Sequence, residues 1–352
     1  PLTVHVEAGI RVHQLNAALL AAGWALENTG AIAMQSVAGA TQTGTHGTGS
    51  ALSSMSSQIV ELTMVLANGT RVTCSETLRP RLFGAARVGL GALGVLTSVK
   101  LRVLPKFKLH RVAMPYAYDQ LMRDLPRLNA RYERLQWYYT PYTNNATLLL
   151  RIPVPVDAPI VPCWPGDVEK AMAAGRNITC TDWSFKALCH EADDAVLYTE
   201  MEYFVDVAHA PALAREFRAY QDSVRNASQC ALTVPKTGAC SLFTGVRYGK
   251  ADNVSWMSQF YQREIAVVSN IVLGTTSVAG PQAEFALFGK GLERIATKFG
   301  GRPHWGKMNW ATAADLRPQY PKFDDFKAMR EALDPHGIFV NNYLRRVLGL
   351  PS

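Results

Sequence analysis

The residues able to do chemistry in this chain lie in a few short runs. The first is Gly39-Ala40-Thr41-Gln42-Thr43-Gly44-Thr45-His46-Gly47-Thr48-Gly49. Its small side chains leave backbone amides reachable, and its threonines supply hydroxyl donors. Such a segment can cradle a phosphate or a flat heteroaromatic ring without a bulky clash. His46, alone in that run, reads more naturally as a hydrogen-bonded structural residue than as a ligand or base. The second run, Gly89-Leu90-Gly91-Ala92-Leu93-Gly94, spells G-x-G-x-x-G. A dinucleotide site needs a strand before this pattern and a helix after it, because the pyrophosphate sits on the helix N-terminus. Here a helical pattern precedes and a β-rich run, Val95 to Leu101, follows. The order is inverted, so a Rossmann nicotinamide site is rejected, and the glycines are read as letting a turn lie flat against something. Glu200 and Glu202 fall on a strand pattern, Tyr198-Thr199-Glu200-Met201-Glu202-Tyr203, with both carboxylates on one face. The plainer expectation for them is solvent exposure. His190-Glu191-Ala192-Asp193-Asp194 has metal-ligand types, but no three share a helical face; it is read as a polar helix or loop, and no metal site is expected.

These runs need a scaffold. Residues 2 to 7 alternate as a strand, and Val12, Leu15, Ala18, Leu19 and Ala22 recur at helical spacing up to Gly23. Residues 31 to 50 are read as a tightly wound loop. Ile59 to Leu66 and Arg71 to Cys74 read as strands joined by the hairpin signal Asn68-Gly69. Leu78 to Arg87 reads as a helix, and Gly94 to Leu104 as a long strand. After Pro105 the texture changes. Strand-like runs at 109–114, 134–140, 146–152, 196–205, 240–248 and 265–273 alternate with helical patterns at 117–129, 210–225 and 282–298. That predicts an α+β unit around a mostly antiparallel sheet. The proline- and cysteine-bearing interval 154–190 is read as a long loop with one short helix, and 322–333 as a helix stopping at Asp334-Pro335-His336-Gly337. The expected division is 1–105, 106–299 and 300–352.

The chain has 352 residues, enough for about two domains. With 48% apolar and 18% charged residues, it can bury a large core. No apolar stretch of the length a bilayer requires is visible. The net charge of +8 is scattered, with no basic run interleaved with aromatics, so nucleic acid is not an expected partner. The six cysteines form no C-x-x-C; Cys163, Cys180 and Cys189 fall together, as loop disulfides would. Sequons stand at Asn68, Asn145, Asn177, Asn226 and Asn253. Together with the even cysteine count they favour a secretory, glycosylated protein over a cytosolic one with buried thiols.

The glycine runs together resemble the FAD-binding domain of vanillyl-alcohol-oxidase-type flavoproteins, the PCMH type. Ser36-Val37-Ala38-Gly39 through Gly47 fits S-[VI]-A-G-x-x-x-T-G-T-H-G, and Leu90 through Thr97 fits L-G-A-L-G-V-[LIV]-T. At the far end, Arg302-Pro303-His304-Trp305-Gly306-Lys307 is similar to the R-P-H-W-[GA]-K signature of sugar-lactone oxidases. Leu333 through Leu344 resembles their L-D-P-x-G-x-F-x-N-x-Y-L tail. On these motifs the chain resembles the aldonolactone oxidases, over essentially its whole length.

The resemblance implies FAD as cofactor, held by Ser36, Val37, Gly39, Ala40, Gly44, Thr45, His46, Gly47, Thr48, Ser53, Ser54, Gly94, Val95, Leu96, Lys307 and Asn342. It implies a cap domain whose sheet roofs the ring, a small sugar 1,4-lactone as substrate and O2 as acceptor. Lys307 would sit as a fixed cation where the reduced ring gathers negative charge. Arg247 would hold the lactone through its planar donor fork. His304 is a proton-handling candidate, and Glu202 or Glu200 would orient Arg247 or act as base. Membrane association is open from the resemblance, with no anchor visible. Two departures stand out. The family's G-x-G-H-S pyrophosphate loop has no match, so a fragment lacking that subdomain is expected and no covalent flavin link is argued. The family's E-x-R pair aligns with Gly245-Val246-Arg247, which keeps the arginine and not the carboxylate. Rival readings are a polyol oxidase or dehydrogenase of the same fold and a catalytically impaired flavin- or lactone-binding glycoprotein. All of these assignments need Thr45, Val95 and Lys307 to converge on one slot.

Overall fold

A computed structural model describes residues 2–164, 166–189, 198–225, 242–273 and 283–351. The cluster at 190–194, Asn226, Cys230 and Cys240 lie outside the described residues.

The first part of the chain builds a small antiparallel sheet. Its elements are β1 (Thr3–Glu7), α1 (Val12–Ala21), β2 (Trp24–Ala25), α2 (Val37–Gln42), β3 (Ile59–Val65), β4 (Arg71–Ser75), α3 (Pro80–Ala86), β5 (Val95–Arg102) and β6 (Leu104–Pro105). The strand order is β1-β5-β3-β4, with β2 and β6 paired separately. In α1, Val12, Leu15 and Leu19 recur at helical spacing and are buried. The glycine-rich stretch is not all loop: residues 37–42 form a short helix, because Ser36 Oγ accepts the Gly39 N–H at 3.1 Å and caps it.

The larger sheet follows. Its elements are β7 (Lys108–Ala117), α4 (Tyr118–Arg131), β8 (Leu135–Tyr139), β9 (Asn145–Val154), α5 (Asp167–Ala174), β10 (Ile178–Trp183), α6 (Ser184–Leu188), β11 (Tyr198–Asp206), α7 (Ala210–Ser223), β12 (Leu242–Gly249), β13 (Ile265–Leu273), α8 (Ala283–Lys298) and β14 (Arg302–Pro303). The eight strands run in the order β10-β7-β9-β8-β12-β13-β11-β14, and every named pairing is antiparallel. Successive side chains of a strand point to opposite faces. Met201, Tyr203 and Val205 therefore join Val246, Tyr248, Val268 and Leu148 in a core closed by α4, α7 and α8. Glu200, Glu202 and Phe204 point the other way.

The interval 154–190 holds more structure than its composition suggests. It contains α5, β10 and α6, and a disulfide joins Cys163 to Cys180. The strand β10 is polar in sequence, but it pairs along its whole length on one side, Ile178 with Ala113 through Trp183 with Lys108, as the edge strand of the sheet.

The first core draws on both ends of the chain. Val12, Leu62, Phe83 and Val99 pack with Trp256 and Met257 and with Trp305, Tyr320, Phe326 and Val347. The last residues form α9 (Ala313–Leu316), α10 (Phe323–Leu333) and α11 (Asn342–Leu348). Buried Asp334 ends α10 by accepting the Ile338 and Phe339 amides at 2.8 and 2.9 Å.

Candidate active site

A cleft of about 760 Å³ opens between the glycine–threonine segment and the outward face of β11 and β12. Gly30, Ala31, Gly39, Thr43, Thr45 and Gly306 make one part of its lining from small groups; Glu200, Glu202, Arg247, His304 and Lys307 supply charge and imidazole. Its volume is that of a cofactor or small-molecule site.

The charged group is assembled by strand register. In β11, residues 200 and 202 share a face. The segment after β14 then lies along β11. His304 N–H donates to the Glu202 carbonyl at 3.0 Å and Met308 N–H to the Glu200 carbonyl at 3.3 Å. That path brings Lys307 over both glutamates: its ammonium bonds Glu200 and stands 3.5 Å from Glu202 Oε1. Arg247 Nη1 lies 3.9 Å from the same oxygen. His46 Nε2 lies 3.3 Å from Glu202 Oε2 and its Nδ1 2.8 Å from the Gly47 carbonyl. The His46 ring is gripped edge-on by Phe204 and Phe260.

Neither glutamate faces solvent, contrary to the plainer expectation: Glu200 is 8% exposed and Glu202 1%. Burial alone would raise the Glu202 pKa, but Lys307, His46 and Arg247 outweigh it and hold the carboxyl well below its usual range. Burial would likewise lower the Lys307 pKa, yet Glu200 and Glu202 hold it above its ordinary value. His304 is different. Burial dominates and pushes it down to about 3, and its Nδ1 accepts the Gly306 N–H at 3.0 Å. The ring is thus neutral with its proton on Nε2.

His46, Glu202 and His304 put ligand-type atoms within 4.8 Å of one another. Their hydrogen bonds argue against a metal ion. His304 Nδ1 is filled by an amide and its Nε2 carries a proton, while Lys307 and Arg247 crowd Glu202 with positive charge.

The structure brings some of the expected residues together and not others. Gly39, Thr45, His46, Glu202, Arg247, His304 and Lys307 line the cleft. Ser36 caps α2, and Val37 and Ala40 are core residues behind it. Gly44, at φ +77°, turns the chain where a Cβ would strike Gln259. Gly47 fits against Asn28 and Thr29, and Thr48 ties β8 to β12 through the Leu135 carbonyl and the Tyr248 amide. Ser53 and Ser54 carry buried hydroxyls without a hydrogen-bond partner. The second glycine run meets the first through Gln42, which bonds the Ala86 carbonyl and the Gly89 amide. Gly94, Val95 and Leu96 then lead into β5, away from the cleft lining, and Val95 is 56% exposed on it. So Thr45 and Lys307 share a slot and Val95 does not join them: the expected three-way convergence is met only in part, and the flavin reading rests on Thr45 and Lys307. Asn342 is exposed at the start of α11, and its neighbour Tyr343 is the residue that reaches the cleft, donating to the Trp305 carbonyl at 3.0 Å. The tyrosine of the tail motif was the signal for it. Nothing in local sequence marked Gly30, Ala31, Gln35 or Met308, which arrive by tertiary packing.

Flavin fits this lining. Thr45 Oγ1 is buried without a hydrogen-bond partner, and a Cβ on Gly306 would already press to 3.1 Å on Thr43 Oγ1. A flat ring with polar edges can lie against such a wall where side chains could not.

Residues 160–347 match the family model described as D-arabinono-1,4-lactone oxidase, and residues 2–75 match one for an FAD binding domain. An L-gulono-1,4-lactone dehydrogenase of Mycobacterium tuberculosis is 30% identical across 98% of this chain and 81% of its own. An L-gulonolactone oxidase of Mus musculus is 28% identical across 98% and 80%. An alditol oxidase of a Streptomyces species is 28% identical across 98% and 81%. Among solved structures, a cholesterol oxidase from B. sterolicum superposes with a TM-score of 0.77 at 16% identity, covering 98% of this chain and 81% of that one. At that identity the likeness concerns fold.

Proposed function

The chain belongs to the D-arabinono-1,4-lactone oxidase family, and from that premise we propose that it oxidises a sugar 1,4-lactone beside its carbonyl, passes the electrons to O2 and yields H2O2. It is an FAD-dependent oxidoreductase with a PCMH-type FAD-binding fold. The substrate would be L-gulono-, L-galactono- or D-arabinono-1,4-lactone, and the first two would give an ascorbate-type product. The observation that carries this reading is the convergence of Arg247, Lys307, His304 and two buried glutamates on one cleft walled by the glycine–threonine segment.

Bound FAD supplies an acceptor for the two electrons that leave the substrate carbon as hydride. Thr45, Gly39, Gly306 and Lys307 would hold it. Lys307, kept protonated by its two carboxylates, places a fixed cation where charge develops, and such a group acts more on the transition state than on the ground state. Arg247 orients the lactone oxygens with its donor fork, and Glu202 keeps that fork in place. His304, neutral, offers Nε2–H as a donor. Trp305, buried with its indole bonded to the Met257 carbonyl at 2.6 Å, helps to exclude water.

The test is optical. The purified flavoprotein, titrated under argon with each of the three lactones, should lose its visible absorption with at least one and regain it in air with formation of H2O2. If all three leave the spectrum intact while a pentitol bleaches it, the polyol reading replaces this one.

A secretory location and N-glycosylation also belong to this proposal. In support, Cys163 and Cys180 form a disulfide, and Asn68, Asn145, Asn177 and Asn253 are all exposed. Protein made in a secretory host should shift in mobility on treatment with an N-glycosidase; an unchanged band would reject glycosylation.

A further inference from the structure

We propose that Glu200 accepts the hydroxyl proton during oxidation, while Glu202 is a positioning residue that anchors Arg247, Lys307 and His46. The proposal rests on the lactone-oxidase reading above.

Seven titratable side chains line the cleft among the described residues: His46, Glu200, Glu202, Arg247, His304, Lys307 and Tyr343. Six are poorly suited to receive a proton. Arg247 and Lys307 are cations. Tyr343 is a phenol whose hydroxyl donates to the Trp305 carbonyl. His46 has both ring nitrogens committed, Nδ1 to the Gly47 carbonyl and Nε2 to Glu202. His304 has its Nδ1 lone pair filled by the Gly306 amide and its Nε2 already protonated. Glu202 is the more deeply buried carboxylate, 1% exposed against 8% for Glu200, and Lys307, Arg247 and His46 surround it at 3.5, 3.9 and 3.3 Å, which places it to anchor those three side chains.

Glu200 remains. It lines the same cleft two residues earlier on the same face of β11, and its backbone is fixed by the Met308 amide. Its carboxylate bonds the Lys307 ammonium. That contact couples the two charges. When a proton reaches Glu200, its negative charge is withdrawn from Lys307 at the moment when the cation is needed to offset charge leaving the substrate carbon. The neighbouring strand could not supply the carboxylate. Glu202, Ser269, Gly245 and Tyr138 form one row across four strands. A Cβ on Gly245 would meet Ser269 Oγ at 2.7 Å and Tyr138 Cε1 at 2.9 Å.

The step balances as follows. The substrate O–H bond breaks and its proton passes to the Glu200 carboxylate. That bond's electron pair becomes the new C=O π bond, and the C–H pair leaves as hydride to the two-electron acceptor. Reoxidation by O2 takes up the hydride, with its two electrons, and the Glu200 proton, giving H2O2.

The experiment compares wild type with Glu200→Gln, Glu200→Asp and Glu202→Gln, each loaded with FAD. Anaerobic reduction by the lactone that bleaches wild type is followed from pH 5 to pH 9, and lactone binding is read separately from the shift it causes in the flavin spectrum. Glu200→Gln should bind lactone as wild type does and reduce ~10²–10⁴-fold more slowly, with the rate rising with pH where the wild-type rate has levelled. Glu200→Asp should recover part of the rate. Glu202→Gln should instead weaken lactone binding and lower the melting temperature. A Glu200→Gln protein that reduces within about threefold of wild type, with the wild-type pH profile, overturns the proposal. So does a Glu200→Asp protein no faster than Glu200→Gln when both bind lactone normally. A wild type that no lactone bleaches is a separate result: it overturns the oxidase reading, and this assignment falls with it.

Discussion

His46 Nε2 and Glu202 Oε2 stand 3.3 Å apart although 156 residues separate them in sequence. The contact ties the glycine–threonine turn to the cap sheet, and both side chains are almost wholly buried. Removing one partner of a buried hydrogen bond to a charged group typically costs ~1–3 kcal/mol; Lys307 and Arg247 still face Glu202 when His46 is lost. His46→Ala should therefore lower the denaturant midpoint markedly. Combining it with Glu202→Gln should cost much less than the two losses added together, because both changes remove the same contact. Simple additivity in equilibrium unfolding would deny the coupling.

Lys307 lies on Glu200 and near Glu202. Lys307→Met removes the fixed cation and should slow flavin reduction by the lactone ~100-fold, the effect of losing about 3 kcal/mol of transition-state stabilisation. Rapid-mixing spectroscopy measures it. A rate near wild type would place the charge stabiliser elsewhere.

His304 is buried as the neutral ring, with its pKa pushed down to about 3 from an ordinary 6.5. In the unfolded chain the imidazole takes a proton near its ordinary value; in the folded chain it does not. Between those two pH values the unfolded state binds more protons, so stability falls as pH is lowered through that window, by up to ~1.4 kcal/mol per pH unit. The contribution is complete above the unfolded value. Unfolding free energies measured from pH 7 to pH 4 should decline steeply for wild type and less steeply for His304→Gln. Parallel slopes would contradict the assignment.

Gly245 has no room for a side chain against Ser269 and Tyr138. Gly245→Glu is expected to destabilise the protein by ~1–3 kcal/mol through overpacking, with no gain in kcat. A large gain would mean that the sheet opens to admit the carboxylate and that the site had merely lost it.

Cys163 and Cys180 close a loop with a separation of 17 residues. Replacing both with serine should cost ~2–4 kcal/mol, and a thiol reductant should lower the wild-type melting temperature by a matching amount while leaving the double variant unchanged.

Several elements of the site were legible before any fold was known. The spacing of small residues and threonines from Gly39 to Gly49 announced a wall that a flat ring can approach, and Thr45 does line the cleft. The alternation of β11 placed Glu200 and Glu202 on one face. What covers that face was not local information. The segment from Arg302 to Met308 crosses β11 roughly a hundred residues later in the chain, through the 3.0 Å bond from His304 N–H to the Glu202 carbonyl, and a pairing so distant leaves no periodic mark. Hence two glutamates expected at the surface lie buried under a lysine. The same limit applies to Asn342 and Val95, which stand outside the cleft lining. A motif letter records a neighbourhood, whereas the side chain that enters the cleft is decided by the last turn of the backbone, and Tyr343 occupies that position.

The sequence by itself determined the residue types the chemistry requires, the strand and helix periods that carry them, and the family. Tertiary structure alone decided which carboxylate faces which cation. Those distances of 3 to 4 Å arise where β11, β12, the turn at His46 and the segment at Lys307 meet, and only that meeting sets the burial and the field around each carboxylate.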